Sequence, residues 1–249
     1  MGENKEPPWL EREIEMLIDF EFNGSTARQN GLMVEKFLSI PTSEQRITKY
    51  TLPGRDGDLT YIEPGHDDIV ISAQLLYLGN LQDLREKYHD LKRWLLKGAG
   101  LLKFLDQGEW HYVVKSVKIG TNELAFSVTG RFTVDFTCAP HQYLDGGDIP
   151  VDVVSVSNMY NPYDVAHPTY ELQGEGMCTL TVNGKTFTAN VGQNLIINTE
   201  LMISYRIDGE MRNTSVNGEY ENLYLQPGNN LLSVTNGFDV KITPNWRRL

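Results

Sequence analysis

The chain is poor in cysteine. Only Cys138 and Cys178 occur in 249 residues, with no CxxC and no histidine at metal-ligand spacing beside either. A disulfide framework and a structural zinc site therefore have no anchor. A buried, reduced thiol at each position is the expectation, and a single structural disulfide is the lesser alternative. Long apolar runs are absent too. Nothing approaches the ~18–20 consecutive apolar residues that cross a bilayer, and the N-terminus MGENKEPPWLEREIEM is acidic where a secretory leader is basic and then apolar. Neither membrane insertion nor a signal peptide is expected. Basic residues are also scarce: 22 Lys+Arg against 33 Asp+Glu give a net charge of −11 and a pI near 4.9. Gripping DNA or RNA by its phosphates, which depends on Lys and Arg displacing counterions, is excluded as a primary role.

Catalytic signatures are missing as well. There is no GxGxxG, GxxxxGK[ST], HExxH or GxSxG, so nucleotide, zinc-protease and hydrolase-elbow chemistry find no anchor. The five histidines, His66, His89, His111, His141 and His167, are scattered. His66 with Asp67 and Asp68 reads as a solvated turn rather than a cation site, because adjacent carboxylates point to opposite faces of a strand. Asp56 and Asp58 in GRDGDL lack the remaining ligands and terminal Glu of a calcium loop. No catalytic residue, metal ligand or cofactor is assigned, and the chain is not expected to be an enzyme.

What the sequence does contain is apolar material for a core, 40% of residues, in a β-rich pattern with one helix. Residues 1–16 hold five Glu and Pro7-Pro8 and read as an acidic arm. DFEFNG (19–24) alternates like a half-buried strand and ends in an Asn-Gly turn. Further short strands to Tyr61 are broken by Pro41 and by the turn segment LPGRDGDL (52–59). Leu81, Leu84, Tyr88, Leu91 and Leu95 recur at helical spacing and predict a helix from about 82 to 97, with Asn80 as N-cap and Gly98 after its end. A hairpin (KFLDQGEWHYVV) and a long strand follow, with Phe132, Val134, Phe136 and Cys138 on one face. Trp94, Trp110 and Tyr112 are expected in packing rather than on a base-stacking platform.

Residues 146–167, rich in Gly and Pro, read as a crossover with room for one strand. From 168 to 249 no helical stripe appears. Short β runs separated by Gly174, Asn183-Gly184, Gly192, Asp208-Gly209, Asn217-Gly218 and Pro227-Gly228 indicate an all-β sandwich. The expected organisation is thus an arm (1–16), an N-terminal domain (17–145), a crossover (146–167) and a C-terminal β-sandwich (168–249).

The ordered series DFEFNG, LPGRDGDLTY, LKRWL, FLDQGEWHYVVKSV and RFTVDFTCAPHQY, followed by HPTYELQGEG, LTVNG, LIINTE, LQPGNN and VKITPNWRRL, resembles the distal tail proteins of long-tailed, non-contractile bacteriophages. The acidic arm is not part of that pattern. The resemblance implies a mainly β (α+β) fold: an N-terminal β-sandwich with one helix and a β-hairpin, then a galectin-like C-terminal β-sandwich. It implies a structural hub at the virion's tail tip, a homohexameric ring assembled in the host cytoplasm. The tail tube protein would join one face, a tail-associated lysin or fibre protein the other, and the outward domain would hold baseplate or receptor-binding proteins. DNA would be passing cargo in a central channel.

A ring built head to tail needs two different surfaces per subunit. The hairpin tip at Gln107, Gly108, Glu109 and Trp110 is the candidate for extending the sheet into a neighbour, with an ordinary local hairpin as the equal alternative. The competing functional reading is a carbohydrate-binding protein using Tyr205, Tyr220 and Tyr224 of the C-terminal sandwich.

Overall fold

A computed structural model describes residues 19–35, 39–79, 83–125, 129–153 and 156–249. The expected arm 1–16, the N-cap Asn80 and Leu81 lie outside the described residues. The described chain is mostly β, with one α-helix, and divides into two compact units, residues 1–142 with Leu249, and 143–248.

In the first unit the strands are β1 (Phe20–Phe22), β2 (Ser25–Thr26), β3 (Leu32–Val34), β4 (Gln45–Tyr50), β5 (Leu59–His66), β6 (Ile69–Leu78), β7 (Gly100–Phe104), β8 (Trp110–Ile119), β9 (Glu123–Ala125) and β10 (Thr129–Leu144). The main sheet is curled, with the order β2-β1-β7-β8-β10-β6-β3 and β9 beside β10. Alternation puts its faces in register with burial: Ile69, Ile71, Ala73, Leu75 and Tyr77 of β6 point inward, as do Phe132, Val134, Phe136 and Cys138 of β10. β1 turns into β2 through Asn23 (φ 52°) and Gly24 (φ 79°), a two-residue turn whose left-handed backbone asparagine and glycine tolerate.

The helix spans Leu84–Leu95 and lays Leu84, Leu91, Trp94 and Leu95 on the sheet. Glu86 in its first turn and Lys92 and Arg93 in its last complement the helix dipole. Trp94 stacks on Phe20 (6.2 Å, 9°) and meets Phe22 edge-on, and both phenylalanines pack on Phe136. The Trp94 indole N–H donates to the Phe22 carbonyl at 3.3 Å, so the ring is buried without orphaning its polar atom.

The second unit contains β11 (Val151–Val153), β12 (Val156–Asn161), β13 (Thr169–Val182), β14 (Lys185–Asn198), β15 (Ile203–Tyr205), β16 (Val216–Asn217), β17 (Gly228–Val234), β18 (Asp239–Thr243) and β19 (Arg247–Arg248). β13 and β14 form an unbroken hairpin of 14 residues on each side, closed by Asn183 (φ 52°) and Gly184 (φ 81°). This corrects the sequence reading of Gly174 and Gly192 as breaks between strands. Both lie inside the hairpin, opposite Gln193 and Glu175. A Cβ on Gly174 would sit 2.5 Å from the Phe238 ring, and one on Gly192 the same distance from an Arg206 nitrogen. Within a strand, glycine here marks close approach by a neighbouring side chain. The stretch 146–167 holds two strands, β11 and β12, paired to β18 and β17.

Both cysteines are free and buried. Burial, with Asp68 as the lesser cause, pushes the Cys138 thiol up to about 12, and burial pushes Cys178 up to about 11. Thiolate is the reactive form. The folded protein is therefore expected to give no fast reaction with a disulfide-exchange reagent at pH 8, and two thiols per chain after denaturation. A stoichiometric fast phase in the native state would contradict the burial. Since both thiols are protonated in folded and unfolded chains below about pH 9, they cost nothing at neutrality. Above that pH only the unfolded chain ionises, and stability falls up to the folded values.

Candidate functional site: an unpartnered hairpin arm

β4 and β5 pair with each other and with no other strand among the described residues, forming a separate two-stranded sheet. The register sets Ile47 opposite Ile62 on one face, and Thr48 opposite Tyr61 and Tyr50 opposite Leu59 on the other. Ile47 is 51% exposed, and Ile62 and Tyr61 are each 56% exposed. Tyr50, Leu52 and Leu59 are exposed as well, and none of these residues joins either hydrophobic core.

The arm is held in shape locally. Its register shifts between Gln45 and Ile47, opposite the Pro64-Gly65 step, where Gly65 takes φ 122°. Thr48 donates to Glu63, and at the tip Thr51 Oγ1 donates to Asp58 Oδ1 at 2.9 Å. Asp56 and Asp58 thus belong to the turn. At the base Arg46 pairs with Asp67 (2.9 Å), Lys115 pairs with Asp68 (2.6 Å), and His66 meets His141 edge-on at 5.9 Å. Both carboxylates beside His66 are spent on cations of the protein. Among the described residues no group of three His, Cys, Asp or Glu could hold a metal ion.

The tip at Gln107–Trp110 has a different setting. Trp110 is buried, and Gln107 bonds through its backbone to Phe104 and through its side chain to Gln142, leaving Gly108 and Glu109 exposed. The strands it joins, β7 and β8, are flanked in the sheet by β1 and β10, so both lateral edges of that hairpin are filled.

The three tyrosines of the second unit do not gather into one open face. Tyr220 packs on Phe187 (5.4 Å) and its hydroxyl bonds with Ser204, Tyr224 stacks on His167 (3.8 Å, 14°), and Tyr205 is half-buried. Beneath Tyr224 lies a network that sequence reasoning missed. Arg247, 7% exposed, donates to the Val165 carbonyl (2.7 Å), to Glu200 (3.0 Å) and to His167 Nε2 (2.7 Å). A guanidinium can only donate, so Nε2 accepts and Nδ1 carries the proton that faces Glu200 at 2.6 Å. The members are up to 82 positions apart and no local signal links them.

No protein-family model and no curated relative matches the sequence. The fold is that of a phage hub protein. The crystal structure of the SPP1 Dit protein, a paradigm of the hub adsorption apparatus in phages infecting Gram-positive bacteria, is similar with a TM-score of 0.70; it is 16% identical and covers 92% of this chain and 98% of that chain. Among the described residues no helix is long and apolar enough to cross a membrane.

Proposed function

We propose that this chain is the distal tail hub of a phage, a structural protein that closes into a homohexameric ring at the tail tip. The observation that carries the reading is the end-to-end likeness to a hub adsorption protein, spanning 92% of one chain and 98% of the other. The arm supports self-assembly. A lone two-stranded sheet with exposed apolar residues on both faces is marginal in water, and a head-to-tail ring supplies each copy with a neighbour to cover it. With no strand on either edge among the described residues, β4–β5 suits this role better than Gln107–Trp110.

In this reading residues 17–145 form the ring and residues 168–249 project outward. The tail tube protein joins one face and a tail-associated lysin or fibre the other, and the outward part carries baseplate or receptor-binding proteins. The charge fits DNA as passing cargo: six copies at −11 carry −66, and an acidic lumen does not hold phosphates. A channel lined with Lys and Arg would contradict that part. Light scattering of the purified protein is expected to give about 170 kDa, six times 28.3 kDa, and electron microscopy a six-fold ring with a central hole. A stable 28.3 kDa species at tens of micromolar would overturn the ring.

A further inference from the structure

The second sheet has a gap in one edge. β13 pairs with β14 along its whole length, but on the other side β15 reaches only Ile196–Asn198 and β16 only Thr188–Ala189. Between them, residues 190–195 of β14 have no strand partner on that side among the described residues. The chain from 206 to 215 loops out past the gap, tied by the Ile207 N–H to Asn194 Oδ1 (2.9 Å) and the Ser204 N–H to Asn213 Oδ1 (2.7 Å). A cleft of about 290 Å³ opens there, lined by Glu175, Asn190, Gly192, Arg206, Arg212 and Ser215 together with its floor. That size lies at the lower end of small-ligand sites (~300 Å³).

The cleft gathers polar groups, one of which has no hydrogen-bond partner among the described residues. Arg212 Nε is buried and has no hydrogen-bond partner, the single such side-chain atom among the described residues, while the same guanidinium is held by Glu210 at 2.7 Å. Buried donors are ordinarily satisfied, so this one calls for an acceptor. The Arg206 guanidinium lies against bare Gly192, where a Cβ would come within 2.5 Å of it, and makes no ion pair among the described residues. Glu175, the cross-strand partner of Gly192, makes none either. Charges balance: Arg212 is already paired with Glu210, and the lining sets Glu175 against Arg206. An anion would meet as much repulsion as attraction, whereas vicinal hydroxyls, each both donor and acceptor, match guanidinium, carboxylate, amide and hydroxyl together.

We propose that this edge gap is a binding site for one uncharged monosaccharide unit of a glycan, with Arg206, Arg212 Nε, Glu175 and Asn190 holding its hydroxyls. The site is separate from Tyr205, Tyr220 and Tyr224, and it gives the outward half of a hub a direct contact with a sugar-coated surface. Without an aromatic platform the expected affinity for a single sugar is about millimolar.

The test is saturation-transfer NMR on the full chain with glucose, galactose and N-acetylglucosamine at millimolar concentration, and with inorganic phosphate in competition. Transfer to the ring protons of at least one sugar is expected, undiminished by phosphate. Arg206→Ala and Glu175→Gln should each weaken it roughly tenfold, the loss of one charged hydrogen bond, with melting unchanged. Gly192→Ala should do the same by displacing Arg206. Tyr160→Ala, an exposed ring on β12, should leave it intact. Four results would overturn the proposal: no transfer to any of the three sugars, abolition by phosphate, insensitivity to Arg206→Ala and Glu175→Gln, or loss on Tyr160→Ala alone. The outcome does not depend on the mass of the assembly.

Discussion

Changing Ile47→Lys together with Ile62→Glu will leave the protein a 28.3 kDa monomer under conditions where the proposed ring forms from the unaltered chain. The pair is chosen to spare the arm itself. The two positions are directly opposite across β4–β5, so lysine and glutamate replace an apolar cross-strand contact with an ionic one and keep the register. The change falls on what the face presents outward. Covering the exposed half of each isoleucine contributes about 0.8–1.5 kcal/mol, and in the proposed ring every copy uses both at one junction. Replacing them also requires a neighbour to desolvate two charges. Neither residue belongs to a core cluster, so circular dichroism and the melting of both units should be unchanged. Light scattering is the readout. An intact ring of about 170 kDa in the double variant would show that this face is not the junction. Tyr50→Thr with Tyr61→Thr would then test the opposite face.

The arm also shows where sequence reading reached its limit. The strand alternation and the turn at 52–59 are visible in the residues, and the shared face of Leu59 and Tyr61 follows from period-2 geometry. What strand periodicity cannot reveal is whether the apolar face is covered by the same chain. Local features were legible for local reasons. Asn23-Gly24 and Asn183-Gly184 announce left-handed turns, Leu84, Leu91 and Leu95 announce a helix face, and Phe132 to Cys138 announce a buried strand face. Trp94 joined that helix face in the structure as the stripe's widest member.

Features that depend on distant partners were not legible. Gly174 and Gly192 carry the same turn-like signal as Gly184, yet each is bare because a side chain from far along the chain, Phe238 or Arg206, lies over it. The Arg247–His167–Glu200 network is invisible for the same reason. Ordered motifs from Asp19 onward pointed to the phage hub fold although identity to SPP1 Dit is only 16%. An architecture tolerates extensive substitution as long as core volume and apolar patterning are kept.

The same logic identifies Gly130 as the glycine whose loss is felt most in the first core. It sits opposite Tyr77 in the β6–β10 register, and a Cβ there would lie 2.1–2.4 Å from two ring carbons and the hydroxyl of Tyr77. That ring has nowhere to go. It is fully buried, stacks on Tyr88 (6.3 Å, 9°), meets Phe132 edge-on, and its hydroxyl bonds with Asn122. Gly130→Ala must push the ring out of this packing and out of reach of Asn122. Overpacking costs about 1–3 kcal/mol and a broken part-buried hydrogen bond about 1–3, so the first unit should lose about 2–6 kcal/mol in denaturant unfolding.

The expected gain of alanine over glycine in strand propensity, a few tenths to ~1 kcal/mol, is too small to offset this. Tyr77→Leu in the Gly130→Ala background removes the obstructing ring atoms, so the double variant should be less destabilised than the sum of the two single variants. Tyr77→Phe alone isolates the hydroxyl's share. Strict additivity in that cycle would mean that the ring does not constrain position 130, and the explanation for the glycine would have to be sought in the β10 backbone instead.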